Sequence, residues 1–113
     1  FDMTYTLAAD AYLGDASSQI YEFLMCPRPA FFFDARRDVK AEDDEWHLFW
    51  ECGPVVRSVD ELTGMLPDMQ AIGERYRARQ EELFAYTIDL GDRPASERAA
   101  DAIVKAIKDR ADR

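Results

Sequence analysis

The sequence predicts an α/β fold: a short parallel sheet with flanking helices, the C-terminal portion of a doubly wound domain. Three observations carry this. Two short apolar runs, "AYLG" at residues 11–14 and "AFFFDA" at residues 30–35, enclose a segment of helical period. Strand, helix and strand in that order imply parallel strands, because a crossover returns the chain to the same end of the sheet. The second run is apolar on both faces, as an interior strand covered by helices should be. Only these two runs read as good strands, fewer than a doubly wound sheet usually holds. Its earlier strands are therefore expected upstream of this chain.

Each element follows from local chemistry. Residues 4–10 read as the end of a helix, with Tyr5, Leu7 and Ala8 apolar. Residues 11–14 form a strand, and Gly14 and Asp15 turn the chain. Residues 16–25 read as a helix, because Ile20, Phe23 and Leu24 recur at i, i+3 and i+4. Pro27 and Pro29 end it, since proline cannot continue the hydrogen-bond ladder. Residues 30–35 form the second strand. Residues 36–45 are strongly charged without periodicity and read as an exposed loop. The aromatic-rich "WHLFWECGPVV" of residues 46–56 reads as one or two short extended segments around a Gly-Pro turn.

The remainder is helical. Ser58, Val59, Asp60 and Glu61 form a capping box that opens a helix running to about Leu66. Pro67 and Asp68 restart a longer helix, which carries Met69, Ile72, Tyr76, Leu83 and Phe84 inward. Residues 91–94 make a turn. A final helix from about Ala95 places Ala99, Ile103 and Ile107 on one stripe. The chain reads as a single partial domain, 1–57 holding the strands and the candidate site and 58–113 the helical end.

Composition bounds the function. A 48% hydrophobic content over 113 residues suits a real core. A net charge of -9 argues against nucleic acid as a partner, because that binding is driven by basic surface. It says nothing against small phosphorylated ligands, which local geometry binds. No basic segment leads into an apolar run, and no run approaches the roughly 18 residues of a membrane span. The expectation is a cytoplasmic protein or a fragment of a larger one. Cys26 and Cys52 suggest two reduced, semi-buried thiols and no disulfide framework. With His47 the only histidine, no metal site and no cofactor is expected.

The candidate site is "GDASSQIYE". A strand leading at once into a turn and a helix presents unpaired amides, and open α/β sheets bind ligands at that edge. Ser17 and Ser18 add hydroxyl donors, and Asp15 stands at the mouth of the turn. Glu22 lies four residues after Ser18, on the same helix face. There it suits the diol of a bound ribose, since a carboxylate accepts hydrogen bonds well. The plainer reading makes Asp15 or Ser17 an N-cap and Glu22 a solvated surface residue. The lysine and glycine spacing of a P-loop is absent.

At this point the chain resembles a known family. "AADAYLGDASSQIYEFL…PRPAFFFD" is similar to the C-terminal domain of the CDP-glycerol glycerophosphotransferases, the teichoic-acid-polymerase-like enzymes. "GPVVRSVDEL" and "GDRPASERAADAIVKAI" resemble two later segments of that family, in the same order. The resemblance implies a GT-B enzyme, with two Rossmann-like domains and the active site between them. Such an enzyme transfers an alditol phosphate from a CDP-activated donor to a cell-envelope polymer or lipid-linked acceptor. It implies that Asp15, Ser17 and Ser18 line the diphosphate region and that Glu22 faces the nucleoside. Arg98 would support the fold by pairing with a carboxylate. The catalytic residues would lie upstream, so none is carried onto this chain, His47 included. Peripheral association of the full-length protein with the inner face of the membrane would fit such an acceptor.

Two other functions stay open: a nucleotide-sugar GT-B glycosyltransferase fragment, and a non-catalytic interaction domain that keeps the fold. Among the remaining features, Trp46, Phe49 and Trp50 read more readily as core than as a ligand platform. The run "ERYRARQEE" reads as a solvated helix face with i, i+4 ion pairs. A weaker alternative sets Arg75, Arg77 and Arg79 against anionic lipid or polymer. A sheet with an open edge is expected to self-associate.

Overall fold

The computed structural model describes residues 3–34 and 47–111. The fold is α/β, with a three-stranded parallel sheet in the order β1-β2-β3 and helices flanking it. In chain order come α1 (Thr4–Ala8), β1 (Tyr12–Gly14), α2 (Gln19–Leu24) and β2 (Ala30–Phe33). Then follow α3 (His47–Trp50), β3 (Val55–Val56), α4 (Val59–Met65), a 3-10 turn (Leu66–Asp68), α5 (Met69–Thr87) and α6 (Ala95–Ala111). The expected charged loop at residues 36–45, with Ala35 and Trp46, lies outside the described residues.

β2 is central because its side chains suit burial on both faces. Ala30 and Phe32 point to one face and Phe31 and Phe33 to the other, following the two-residue period of a strand. Ala30, Phe31 and Phe32 are buried and Phe33 is half-buried. Tyr12 pairs with Ala30 and Gly14 with Phe32, while Phe32 and Phe33 pair with Val55 and Val56. Ile20, Phe23 and Leu24 of α2 pack on the Ala30 and Phe32 face, joined by Phe49, Cys52 and Leu83. Burying each large apolar side chain there contributes roughly 1.5–3 kcal/mol.

One sequence expectation is met here and one corrected. The third strand, Val55–Val56, is a short extended segment following the Gly-Pro turn, as expected, and it joins the two strands read from the apolar runs. And "HLFW" is one turn of helix, not an extended segment. The reason is the i, i+3 spacing of Phe49 and Cys52, which turns both into the core. Phe49 meets the ring of Tyr21 edge-on at 4.6 Å. Trp50 is only half-buried. The chain then enters β3 through Gly53, where a Cβ would collide with the carbonyl oxygen of Ala30. Pro54 and Val56 carbonyls accept from the amides of Phe32 and Asp34, each at 2.9 Å.

Two polar side chains tie these elements together. Arg28 stacks on the Phe23 ring at 4.1 Å. Its guanidinium donates to the carbonyls of Leu7, Ala9, Phe23 and Cys26, anchoring the end of α1 to the end of α2. Gln80 is fully buried, and its amide donates to the carbonyls of Arg28 (3.0 Å) and Cys52 (2.8 Å). Those carbonyls lie just before β2 and near the start of β3, beyond the reach of the sheet ladder. This corrects the reading of "ERYRARQEE" as a wholly solvated face. Its ion pairs are also i, i+3, Glu74 with Arg77 and Arg79 with Glu82, and Arg79 crosses to Glu51. Of the residues expected inward on α5, Ile72 and Leu83 are buried and Met69, Tyr76 and Phe84 half-buried.

The cysteines divide: Cys26 is exposed and Cys52 buried. Burial pushes the Cys52 thiol up to about 11, against the pull of Arg79 and with a small push from Glu51. α6 has no buried residue, and Ile103, Val104 and Ile107 are exposed along it. The predicted stripe therefore exists, with nothing in the described chain covering it. The molecule measures 64 × 31 × 26 Å.

Candidate functional site

The site starts where β1 ends. The Tyr12 side chain folds back across Gly14, where an added Cβ would stand 2.5 Å from the phenol oxygen. That phenol donates to the Asp15 carbonyl at 3.0 Å. Burial raises its pKa, a hydrogen bond with the Ser17 side chain draws it back, and the charge of Asp15 raises it again. The tyrosine thus braces the turn from beneath.

The turn itself is tight. The Ser17 amide donates to the Asp15 carbonyl at 3.0 Å, and the Ser17 carbonyl accepts from Ile20 at 3.2 Å. Residues 16–18 are turn, so the helix expected from residue 16 begins at Gln19 and has six residues. So short a helix contributes little dipole. Ser18 holds the N-cap position with helical dihedrals, and its side chain makes no capping hydrogen bond. Asp15 and Ser18 are exposed, and Ser17 and Glu22 are half-buried.

Asp15, Ser17 and Ser18 therefore come together in one turn, and Glu22 stands apart from them. It lines a groove of about 420 Å³ between α1, β1 and α2, with Tyr5, Tyr12, Leu13, Gln19 and Phe23. Tyr12 joins the two regions, its side chain lining the groove and its hydroxyl bound to the turn. Ile20 and Leu24 take the opposite, buried face of α2, and Phe23, also buried, lies between that face and the groove.

Sequence reasoning missed two residues of the same edge. Parallel pairing sets Gly14, Phe32 and Val55 side by side. Asp34 and Arg57 therefore leave the sheet at the edge where Asp15 does. Asp34 is buried at 4% exposure, and its carboxylate accepts from Arg57 Nε at 3.2 Å. The Arg57 side chain remains 62% exposed. The signal was present as the first charged residue after each apolar run, in "FFFD" and "VVR". Beyond Arg57, the capping box forms with a shift. Ser58 Oγ accepts from the Glu61 amide at 3.2 Å, while Glu61 reaches back to the amide of Arg57 at 2.7 Å, one residue before the expected partner.

Among the described residues, the edge thus offers hydroxyl donors, turn amides and one guanidinium, groups able to hold an anion. Among the described residues, no group of three or more His, Cys, Asp or Glu side chains is placed to hold a metal ion. Among them also, no helix is long and apolar enough to cross a membrane. No family model, curated protein or solved structure matches the chain.

Proposed function

We propose that this chain is the donor-nucleotide-binding part of a GT-B enzyme of the CDP-glycerol glycerophosphotransferase type. Asp15, Ser17 and Ser18 line the diphosphate region of a CDP-activated alditol donor, the two serine hydroxyls as its donors, and Glu22 accepts from the ribose diol in the groove beside them. The acceptor is a cell-envelope polymer or a lipid-linked molecule, met in a cleft completed by residues outside this chain. What carries the reading is one juxtaposition: a hydroxyl-rich turn at the C-terminal edge of a parallel sheet, with a carboxylate one helical turn further along an open groove. The ordered likeness of three separated segments to that family adds to it. Alone, the chain binds donor and transfers nothing.

Titration calorimetry with CDP, CMP and UDP tests this. CDP is expected to bind most tightly. Ser17→Ala/Ser18→Ala and Glu22→Ala each weaken it by about tenfold, the scale of a lost hydrogen bond to a charged group. Unchanged affinity in both variants sinks the site assignment. A clear preference for UDP turns the reading to a nucleotide-sugar transferase, and no nucleotide binding leaves a non-catalytic interaction domain.

A further inference from the structure

We propose that Arg57 is the cation of the diphosphate subsite and that Asp34 positions it. This rests on the nucleotide reading above and adds a binding residue to it. β1, β2 and β3 are parallel neighbours in register, so the residues that follow them leave along one edge. Strands stand ~4.8 Å apart, which puts Arg57 about 10 Å from the β1 turn, two strands away. A diphosphate and an arginine side chain together span that interval. The phosphate nearer the nucleoside meets Ser17 and Ser18, and the farther one meets the guanidinium.

Charge and burial favour this use of Arg57. A phosphate is held most strongly by a charged donor, and among the described residues of this edge Arg57 supplies one. The Asp34 carboxylate holds Arg57 at Nε, and the side chain is still mostly exposed. The outer nitrogens of the fork remain accessible, in the geometry that suits phosphate. The Asp34 carboxylate, fixed by its own burial, sets the direction in which the guanidinium leaves this edge. At the start of α4 the amides of Arg57 and Glu61 are already engaged, by Glu61 and Ser58 respectively.

Calorimetric titration of the protein with CDP, CMP and inorganic pyrophosphate decides the matter. Arg57→Gln is expected to weaken CDP and pyrophosphate about tenfold and CMP by less than about threefold. Arg57→Lys falls between, keeping the charge and losing the fork. Asp34→Asn narrows the preference for CDP over CMP, whereas a purely structural Asp34 would lower all affinities together. Asp34→Asn/Arg57→Gln removes both charges, so the loss is also read where no buried carboxylate is left without its arginine. A CDP-to-CMP ratio unchanged in Arg57→Gln and in the double variant overturns the inference, even if Glu22→Ala confirms nucleotide binding. Pyrophosphate binding that depends on Arg57, with CDP no tighter and Glu22 without effect, upholds Arg57 and refutes the nucleotide reading. Failure of the wild type to bind any of these ligands overturns both.

Discussion

Cys52 shows how much a single residue can report. Its thiol is fully buried beside Phe49 and below Gly53, and burial holds its pKa near 11. The unfolded chain releases that proton near pH 9, so the folded state keeps it where the unfolded state has lost it. The resulting stability is complete below about pH 8.5 and is lost as pH rises towards 11, to the extent of about 2–3 kcal/mol. Thermal melts at pH 8 and pH 10.5 should show a larger drop for the wild type than for Cys52→Ala. The comparison is made within one background because Tyr12, also raised by burial, acts in the same direction. Equal drops would show that Cys52 is solvated. At this scale the sequence was uneven. Ile20, Phe23 and Leu24 were legible as core from spacing alone. Gln80 was not, because a glutamine among charges reads as solvated until the carbonyls of Arg28 and Cys52 are placed above it. Asp15, Ser17 and Ser18 were legible as one turn, while Glu22, expected on the same face as Ser18, lines the groove apart from them. Asp34 and Arg57 were not, since only strand pairing makes them neighbours.

Elements were legible where they were long or strongly apolar. β2, α4 and α5 follow from triple phenylalanine, a capping serine and a sustained helical period. α3 was lost because one helical turn leaves no periodicity to read, and β3 was legible only as a short extended segment, because two residues cannot show what they pair with. The junction before α6 is set by side chains. Arg98 donates to the Asp89 carboxylate, to the Asp89 carbonyl at 2.7 Å and to the Arg93 carbonyl at 3.2 Å. Its pairing with a carboxylate agrees with the role expected for it. Arg98 holds the Asp89 carboxyl below its ordinary range, helped by the amide of Gly91. The clip is therefore complete above the ordinary carboxyl value and is lost as pH falls through the lowered one. α6 has no buried face, and its start is held by the Arg98 clip together with Arg93, which pairs with Glu97 and Asp101. Arg98→Ala should speed amide exchange across residues 95–111 while changing global stability by less than about 1 kcal/mol. Unaltered exchange there would mean that α6 is held by something other than the clip.

Across the whole molecule, the apolar surface is unevenly covered. Leu13 is 57% exposed on the outer strand β1, and the α6 stripe is bare. An open strand edge and an unpaired amphipathic face both invite a second chain. The isolated chain is therefore expected to self-associate, and a monodisperse monomer in size-exclusion with light scattering would contradict this. The order of the sheet bears on a different matter, the way it is made. Its strands lie in space in the sequence in which they leave the ribosome. Each new strand can be laid against the last without passing behind one already placed, so assembly can keep pace with synthesis from the N-terminal side. Gln80 emerges after all three strands. Its two hydrogen bonds can form only once the carbonyls of Arg28 and Cys52 are already side by side, which makes α5 the latch on a sheet that has finished growing.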